Sequence, residues 1–349
     1  MVFASEARAT MMGGQKAKDK RQKEMGRLSE LWLFVILFLM GIGTGTAKAT
    51  SFHLIVCGSG GEEPYVERFD DWGKRLRSVL VKQMGQAGNR VYLLTEQGKD
   101  TDGISELGEI EKIFRRVGQD VSAQDDVFVY LVGHGSYRRN IAKLNIPGAD
   151  FTVEHLNEWM RLWPARRVVI VNTASSSAAF VNKLSGKGRI VCASTRSVEE
   201  RNATRFMEFF VQALEEGSAD QNRDERISML EICRQAASLT EAWYTGEGYL
   251  ATEHAILDDN GDGKGARLAE MTSVVADGKE ADQIFILDTS IPEGISADLV
   301  DAYQAAITTV QDLVKRKQEL DLTSYYKELE QQLLKAAQLN RQIRQGKDL

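Results

Sequence analysis

Two runs of apolar residues stand out along the chain, and each stops at a small polar turn. Val127–Val132 reads VFVYLV and gives way to Gly133-His134-Gly135-Ser136. Val168–Val171 reads VVIV and gives way to Asn172-Thr173-Ala174-Ser175-Ser176-Ser177. Runs this short, unbroken and β-branched predict strands covered on both faces, because a strand with one wet face would alternate. Ser51–Val56, Val91–Leu94 and Arg189–Ala193 are runs of the same kind. Between the runs, apolar positions recur every three or four residues. Pro64 opens one such stretch, with Tyr65, Phe69, Trp72, Leu76, Val79 and Leu80 on one side, Glu62 and Glu63 at its positive end, and Gly85 and Gly88 beyond it. That is the pattern of an amphipathic helix. The same periodicity predicts helices over Ile104–Val117, Val153–Leu162, Ala178–Leu184 and Thr204–Leu214, and Tyr137–Asp150, with Pro147 and Gly148, reads as a loop. Five strand-then-helix repeats predict an α/β domain, a doubly wound and mainly parallel sheet with helices on both faces and right-handed crossovers.

The pattern changes at both ends. After Pro292 glycine and proline almost vanish, and Leu299, Tyr303, Ala306, Val310 and Leu313 fall four and three apart, as do Leu322, Tyr326, Leu329, Leu333 and Ala336. Two heptad seams separated by Asp321–Ser324 predict a helical hairpin over residues 292–349, packed on itself or used for self-association. At the other end, Lys16, Lys18, Lys20, Arg21, Lys23 and Arg27 precede the apolar block Leu31–Met40 and the small-residue site Ala47-Lys48-Ala49. A basic region, a short apolar core and an A-x-A site predict a secretory signal over residues 1–49, with the mature chain starting near Thr50 and the body exported to the periplasm or beyond. The alternative is an uncleaved signal anchor, the chain's one route to a membrane. Met25 offers a second start within the long basic region. The α/β domain then spans residues 50–291.

At 349 residues, 43% hydrophobic and 27% charged, the composition is that of an ordinary globular protein. A net charge of -6 leaves no basic footprint and argues against nucleic acid as a partner. The three cysteines, Cys57, Cys192 and Cys233, are odd in number and widely spaced, which is neither a disulfide framework nor a zinc motif. Cys57 and Cys192 fall within predicted strands and read as small buried hydrophobes.

Two stretches have the spacing of calcium loops. Asp220, Asn222, Asp224, Ser228 and Glu231 occupy the first, third, fifth, ninth and twelfth positions of one, with Glu225 where glycine is usual at the sixth. Asp258, Asn260 and Asp262 begin a second, which has its glycine, Gly263, but Ala269 where the bidentate glutamate belongs. Calcium is the one ion the sequence proposes, and the competing reading of each stretch is a solvated turn. The turn after the first strand, Gly58-Ser59-Gly60-Gly61, lacks the further glycine or lysine of a phosphate loop and reads as a tight turn.

In open parallel sheets reactive groups collect at the carboxyl ends of the strands, and His134 and Ser175 are both placed there. A histidine beside a hydroxyl, with main-chain N–H groups at the turns, is the minimum for covalent acyl transfer. The motifs carry a resemblance. Leu131-Val132-Gly133-His134-Gly135 resembles the histidine motif of the legumain and caspase group of cysteine peptidases, and Val169-Ile170-Val171-Asn172-Thr173-Ala174-Ser175 resembles its nucleophile block, most closely in the bacterial legumain-like branch. The likeness runs from Leu54 through the Phe206 helix. It implies the caspase/legumain-like version of the doubly wound fold, His134 as base, Gly135 as an oxyanion donor through its N–H, and Ser175 in the nucleophile's place.

The departures lie at the reacting atoms. The family uses cysteine where Ser175 stands and an acid where Thr173 stands, and the asparagine legumains carry after the first strand is replaced by the Gly58-Ser59 region. A serine hydroxyl stays protonated and depends on an aligned base, whereas a thiolate forms near neutral pH. Three readings stay open. One is an exported endopeptidase or related acyl-transfer hydrolase working with His134 and Ser175. Another is an inactive peptidase fold kept as a binding or scaffolding module for a peptide or protein segment. On the third, the nucleophile is Cys57, Ser176 or Ser177. The plainest role for the serine run is to cap a helix beginning at Ala178.

Overall fold

A computed structural model of the protein describes residues 51–222, 226–271, 277–288, 295–317 and 321–344. The predicted signal segment lies outside the described residues. Strand β1 (Ser51–Cys57) pairs in parallel with β2 (Val91–Thr95) on one side and with β4 (Asp126–Val132) on the other. The two-residue β3 (Gly103–Ile104) extends the sheet past β2. On the other side β8 (Arg167–Asn172) pairs with β4, and β9 (Arg189–Ala193) with β8, again in parallel. The sheet then reverses: β11 (Ile256–Asp258) runs antiparallel to β9 and β12 (Ala266–Arg267) antiparallel to β11. Among the described residues the order is β12-β11-β9-β8-β4-β1-β2-β3.

Successive side chains of a strand face opposite ways, so an unbroken apolar strand feeds two cores at once. Ile55, Cys57, Phe128, Tyr130, Val169 and Val171 pack on one face with helices α1 (Glu63–Lys82), α5 (Phe206–Glu215) and α6 (Met229–Gly246). Leu54, Val56, Val129, Leu131, Val168 and Ile170 pack on the other with α2 (Leu107–Asp120), α3 (Val153–Met160) and α4 (Ala178–Leu184). The protein is therefore an α/β domain with a mostly parallel sheet between two helical layers. Helix α1 settles close to the sheet because residue 73 is glycine: a Cβ there would lie 2.5 Å from the Cys57 sulfur.

Three local expectations change. Helix α2 starts at Leu107, because Gly103 and Ile104 are taken by β3. The first part of Tyr137–Asp150 is a hairpin, β5 (Gly135–Arg138) and β6 (Ile141–Leu144), with β7 (Phe151–Thr152) paired to β6, while residues 145–150, with Pro147 and Gly148, form the expected loop. The hairpin's turn residues, Arg139 and Asn140, both have φ in the left-handed region, 51° and 65°, as a two-residue turn matched to strand twist requires. In the tail, α7 (Ala297–Lys315) packs against α8 (Leu322–Arg344), with Leu299, Ala306, Ala336, Leu339 and Ile343 in the shared core. The α8 seam is shifted from the expected one: Tyr325, Ala336, Leu339 and Ile343 are buried, while Tyr326 and Leu333 face solvent. No helix of the described residues is long and apolar enough to cross a membrane.

Candidate functional site

The two strand-end turns lie against each other. A Cβ built on Gly135 would sit 2.3 Å from the carbonyl oxygen of Ser175 and 3.1 Å from the Ala174 Cβ. The parallel β4–β8 register, with Leu131 opposite Asn172, brings both turns to the same edge of the sheet. Thr173 ties them together, its N–H and hydroxyl both donating to the carbonyl of Leu131, at 2.8 and 3.0 Å.

His134 sits at the neck of the β5–β6 hairpin, where its carbonyl accepts from the Asn145 N–H at 2.8 Å. Its half-buried ring meets Tyr65 and Phe69 edge-on, with centroids 4.7 and 5.1 Å away. Burial lowers its pKa, against a hydrogen bond with the Gly60 main chain and the charge of Glu62, which raise it. The imidazole is therefore kept neutral, the form in which a base accepts a proton.

Of the three serines, only Ser175 has an unengaged hydroxyl. Ser175 is 2% exposed, and its Oγ is buried with no hydrogen-bond partner. It is therefore not bonded to the His134 ring. Ser176 Oγ donates to the Val198 carbonyl, and Ser176 itself is held at φ 54°. Ser177 Oγ contacts Ser194 Oγ and Thr195 Oγ1 and accepts from the Thr195 N–H. The capping expectation is corrected, because the helix α4 N–H at Ala178 goes to Thr195 Oγ1 and no serine side chain caps it. Nor does Cys57 offer a nucleophile: it is 1% exposed, and burial pushes its thiol far above the usual range. Cys192 and Cys233 are also buried and free.

The turn's main chain is tied into the fold at several points. Ala174 N–H donates to Asn172 Oδ1 and Ser176 N–H to the Glu200 carbonyl, and Ser194 Oγ donates to the Ala174 carbonyl. The segment after β9, Ser194–Glu200, thus clamps the serine run from outside. No sequence pattern signals this clamp, since it combines two ordinary hydroxyls, of Ser194 and Thr195, with the main-chain carbonyls of Val198 and Glu200. Its last residue, Glu200, also holds a second histidine: Glu200 Oε1 lies 2.5 Å from His254 Nδ1. The glycines after β1 are structural as expected, for the N–H groups of Gly58, Ser59 and Gly60 go to Val132, Asn145 and Glu96.

A cleft of about 480 Å³ opens beside the turns. Its walls include Tyr137 and Asn140 of the hairpin, Ala178 and Asn182 of α4, Arg196 of the clamp, and Lys264.

The calcium expectations fall in two places. In the first, Ser228 ends β10 (Arg226–Ser228), which pairs with β13 (Phe285–Asp288), and caps α6 in a reciprocal box with Glu231. Asp220 and Asn222 precede that strand, and Asp224 lies outside the described residues. In the second, Asp258 Oδ1 accepts from Gly261 N–H at 3.1 Å, Asn260 Oδ1 from Asp262 N–H at 2.8 Å, and Asp262 Oδ1 from Lys264 N–H at 2.8 Å. Asp277 joins this second loop from a distant segment. Burial first, and then the charges of Asp258, Asp259 and Asp262, hold its carboxyl above the usual range, against a hydrogen bond from the Asp259 main chain. Among the described residues, no three His, Cys, Asp or Glu side chains are gathered tightly enough to hold a metal ion as they stand. No protein-family model and no curated protein matches the chain.

Proposed function

We propose that the chain is an exported protein of the caspase/legumain-like fold whose strand-end turns and adjoining cleft bind a peptide segment without cleaving it. The observation carrying this reading is the Ser175 hydroxyl, buried with no hydrogen-bond partner and so not bonded to the His134 ring. Serine is a poor nucleophile unless a base takes its proton, and here no base touches it. Export is supported by the basic, apolar and small-residue succession at the start of the sequence. The cleft supports a peptide ligand, since it runs between the hairpin, α4 and the Arg196–Val198 part of the clamp, next to the end of the serine run.

The reading as an active acyl-transfer hydrolase has its own support. Ser175 alone among the three serines keeps a free hydroxyl, and His134 is held neutral. Catalytic hydrogen bonds often tighten only when substrate arrives.

A mixed peptide library incubated with the full chain, and with Ser175→Ala, Ser175→Cys and His134→Ala, separates the two. The binding reading expects peptides retained but uncut by the unmutated chain. Cleavage by the unmutated chain that disappears in both alanine variants would establish the hydrolase instead.

A further inference from the structure

Asp258 ends β11 and is 1% exposed. One of its carboxylate oxygens accepts from Gly261 N–H, which turns the group into its own loop, and the other, Oδ2, is buried there with no hydrogen-bond partner. A buried carboxylate oxygen without a partner is strongly unfavourable until a proton, a water or a cation meets it, and beside further carboxylates a cation relieves the most. The adjacent Asp259 is already committed: its two oxygens accept from the N–H groups of Gly278, Glu280 and Ala281, at 2.8 to 2.9 Å. In return, Asp259 N–H donates to Asp277 Oδ1 at 3.3 Å. This exchange pins residues 277–281 to the loop and brings the Asp277 carboxyl to it.

We infer that Asp258, Asn260, Asp262 and Asp277 form a calcium site joining the end of β11 to residues 277–281. The loop has oxygen ligands at its first, third and fifth positions and Gly263 at the sixth; Ala266 leaves the ninth to a water, and Ala269 leaves the twelfth without its carboxylate. Asp277 supplies that missing carboxylate from outside the loop. Asp259, although acidic and adjacent, is a strut rather than a ligand. An all-oxygen set on a glycine-containing loop, with three carboxylates and one amide, suits calcium better than magnesium or a transition metal. Asp258, Asp262 and Asp277 are not gathered tightly enough to hold an ion as they stand, so binding draws the loop and Asp277 together. That closure fixes one wall of the cleft, because Gly263, Lys264 and Gly265 line it.

The test uses the full chain stripped with EDTA and titrated with calcium chloride alone, read by thermal melting and calorimetry. Calcium at a hundredfold excess over its Kd should raise Tm by roughly 5 °C, and magnesium at the same concentration by much less. Asp277→Asn keeps an acceptor for the Asp259 N–H and should fold. It should lose the calcium rise yet melt above the unmutated protein in EDTA, since one of several crowded carboxylates has been neutralised. Asp258→Asn should show the same reversal. Absence of a calcium rise in the unmutated chain, an equal rise with magnesium, or a full calcium rise in Asp277→Asn would each overturn the assignment.

Discussion

The point where a Cβ on Gly135 would sit is 2.3 Å from the carbonyl oxygen of Ser175, so the two strand-end turns touch main chain to main chain. No side chain can be inserted there without moving one turn off the other. Gly135→Ala should cost about 1–3 kcal/mol in urea denaturation, the range for overpacking a well-filled interior. Gly186→Ala is the control, since a Cβ at Gly186 meets nothing within 4 Å and should leave stability within about 0.5 kcal/mol of the unmutated value.

Ser175 and Ser177 should respond oppositely to alanine. Ser175→Ala removes a buried hydroxyl that has no partner, so stability should hold or rise by up to about 1 kcal/mol. Ser177→Ala strips partners from Ser194 and Thr195 and should cost about 1–2 kcal/mol. A large loss in Ser175→Ala would mean that its hydroxyl is engaged in solution.

Two buried groups set opposing pH slopes. Burial pushes the Glu253 carboxyl up from 4.5 to about 7, against hydrogen bonds from the Arg205 and Phe206 N–H groups. Its favourable contribution is complete below pH 4.5 and is lost as pH rises through about 7, on the order of 3 kcal/mol in all. His53 is lowered from 6.5 to about 3 by burial, partly offset by a hydrogen bond with Gln86. Its contribution is complete above pH 6.5 and is lost as pH falls through about 3, on the order of 5 kcal/mol. In melts from pH 3 to 8, Glu253→Gln should flatten the fall toward neutral pH. His53→Phe, which can keep the stacking on Phe128, should flatten the fall toward acid.

The cysteines should be inert in the folded protein. Cys57, Cys192 and Cys233 are free and buried, and burial raises the thiols of Cys57 and Cys233, the latter also through its neighbour Cys192. Iodoacetamide should label none of them in native buffer and all three after unfolding without reductant, counted by intact mass. Prompt labelling of Cys57 would revive it as a nucleophile.

What could be read from the sequence followed from burial. Strands β4 and β8 are covered on both faces, so their apolar runs are unbroken, and His134 and Ser175 could be placed at neighbouring strand ends as a candidate site. The β5–β6 hairpin was hidden because Ser136 and Tyr137 are only half-buried and its turn, Arg139–Asn140, uses no glycine. Glu200 and His254 meet across 54 residues with no motif to join them, and the clamp on Ser176 works through the Val198 and Glu200 carbonyls, which any residue would provide. Asp277 was missed for a similar reason: it reaches the Asp258 loop through a main-chain hydrogen bond from Asp259. In the tail, two heptad registers suit α8. The one the protein uses begins at Tyr325 and continues to Leu339 and Ile343, beyond the positions that made the other look complete.

Among the described residues the sheet ends on two-residue strands at both borders, Gly103–Ile104 and Ala266–Arg267. A long bare border would display a row of unpaired amides able to recruit a strand from another molecule, and here each border offers barely one repeat of that pattern. The seven-residue strands most prone to stacking into fibrils, β1 and β4, are enclosed at the centre. The order of the strands thus keeps the longest of them away from the borders, where a second molecule could extend the sheet.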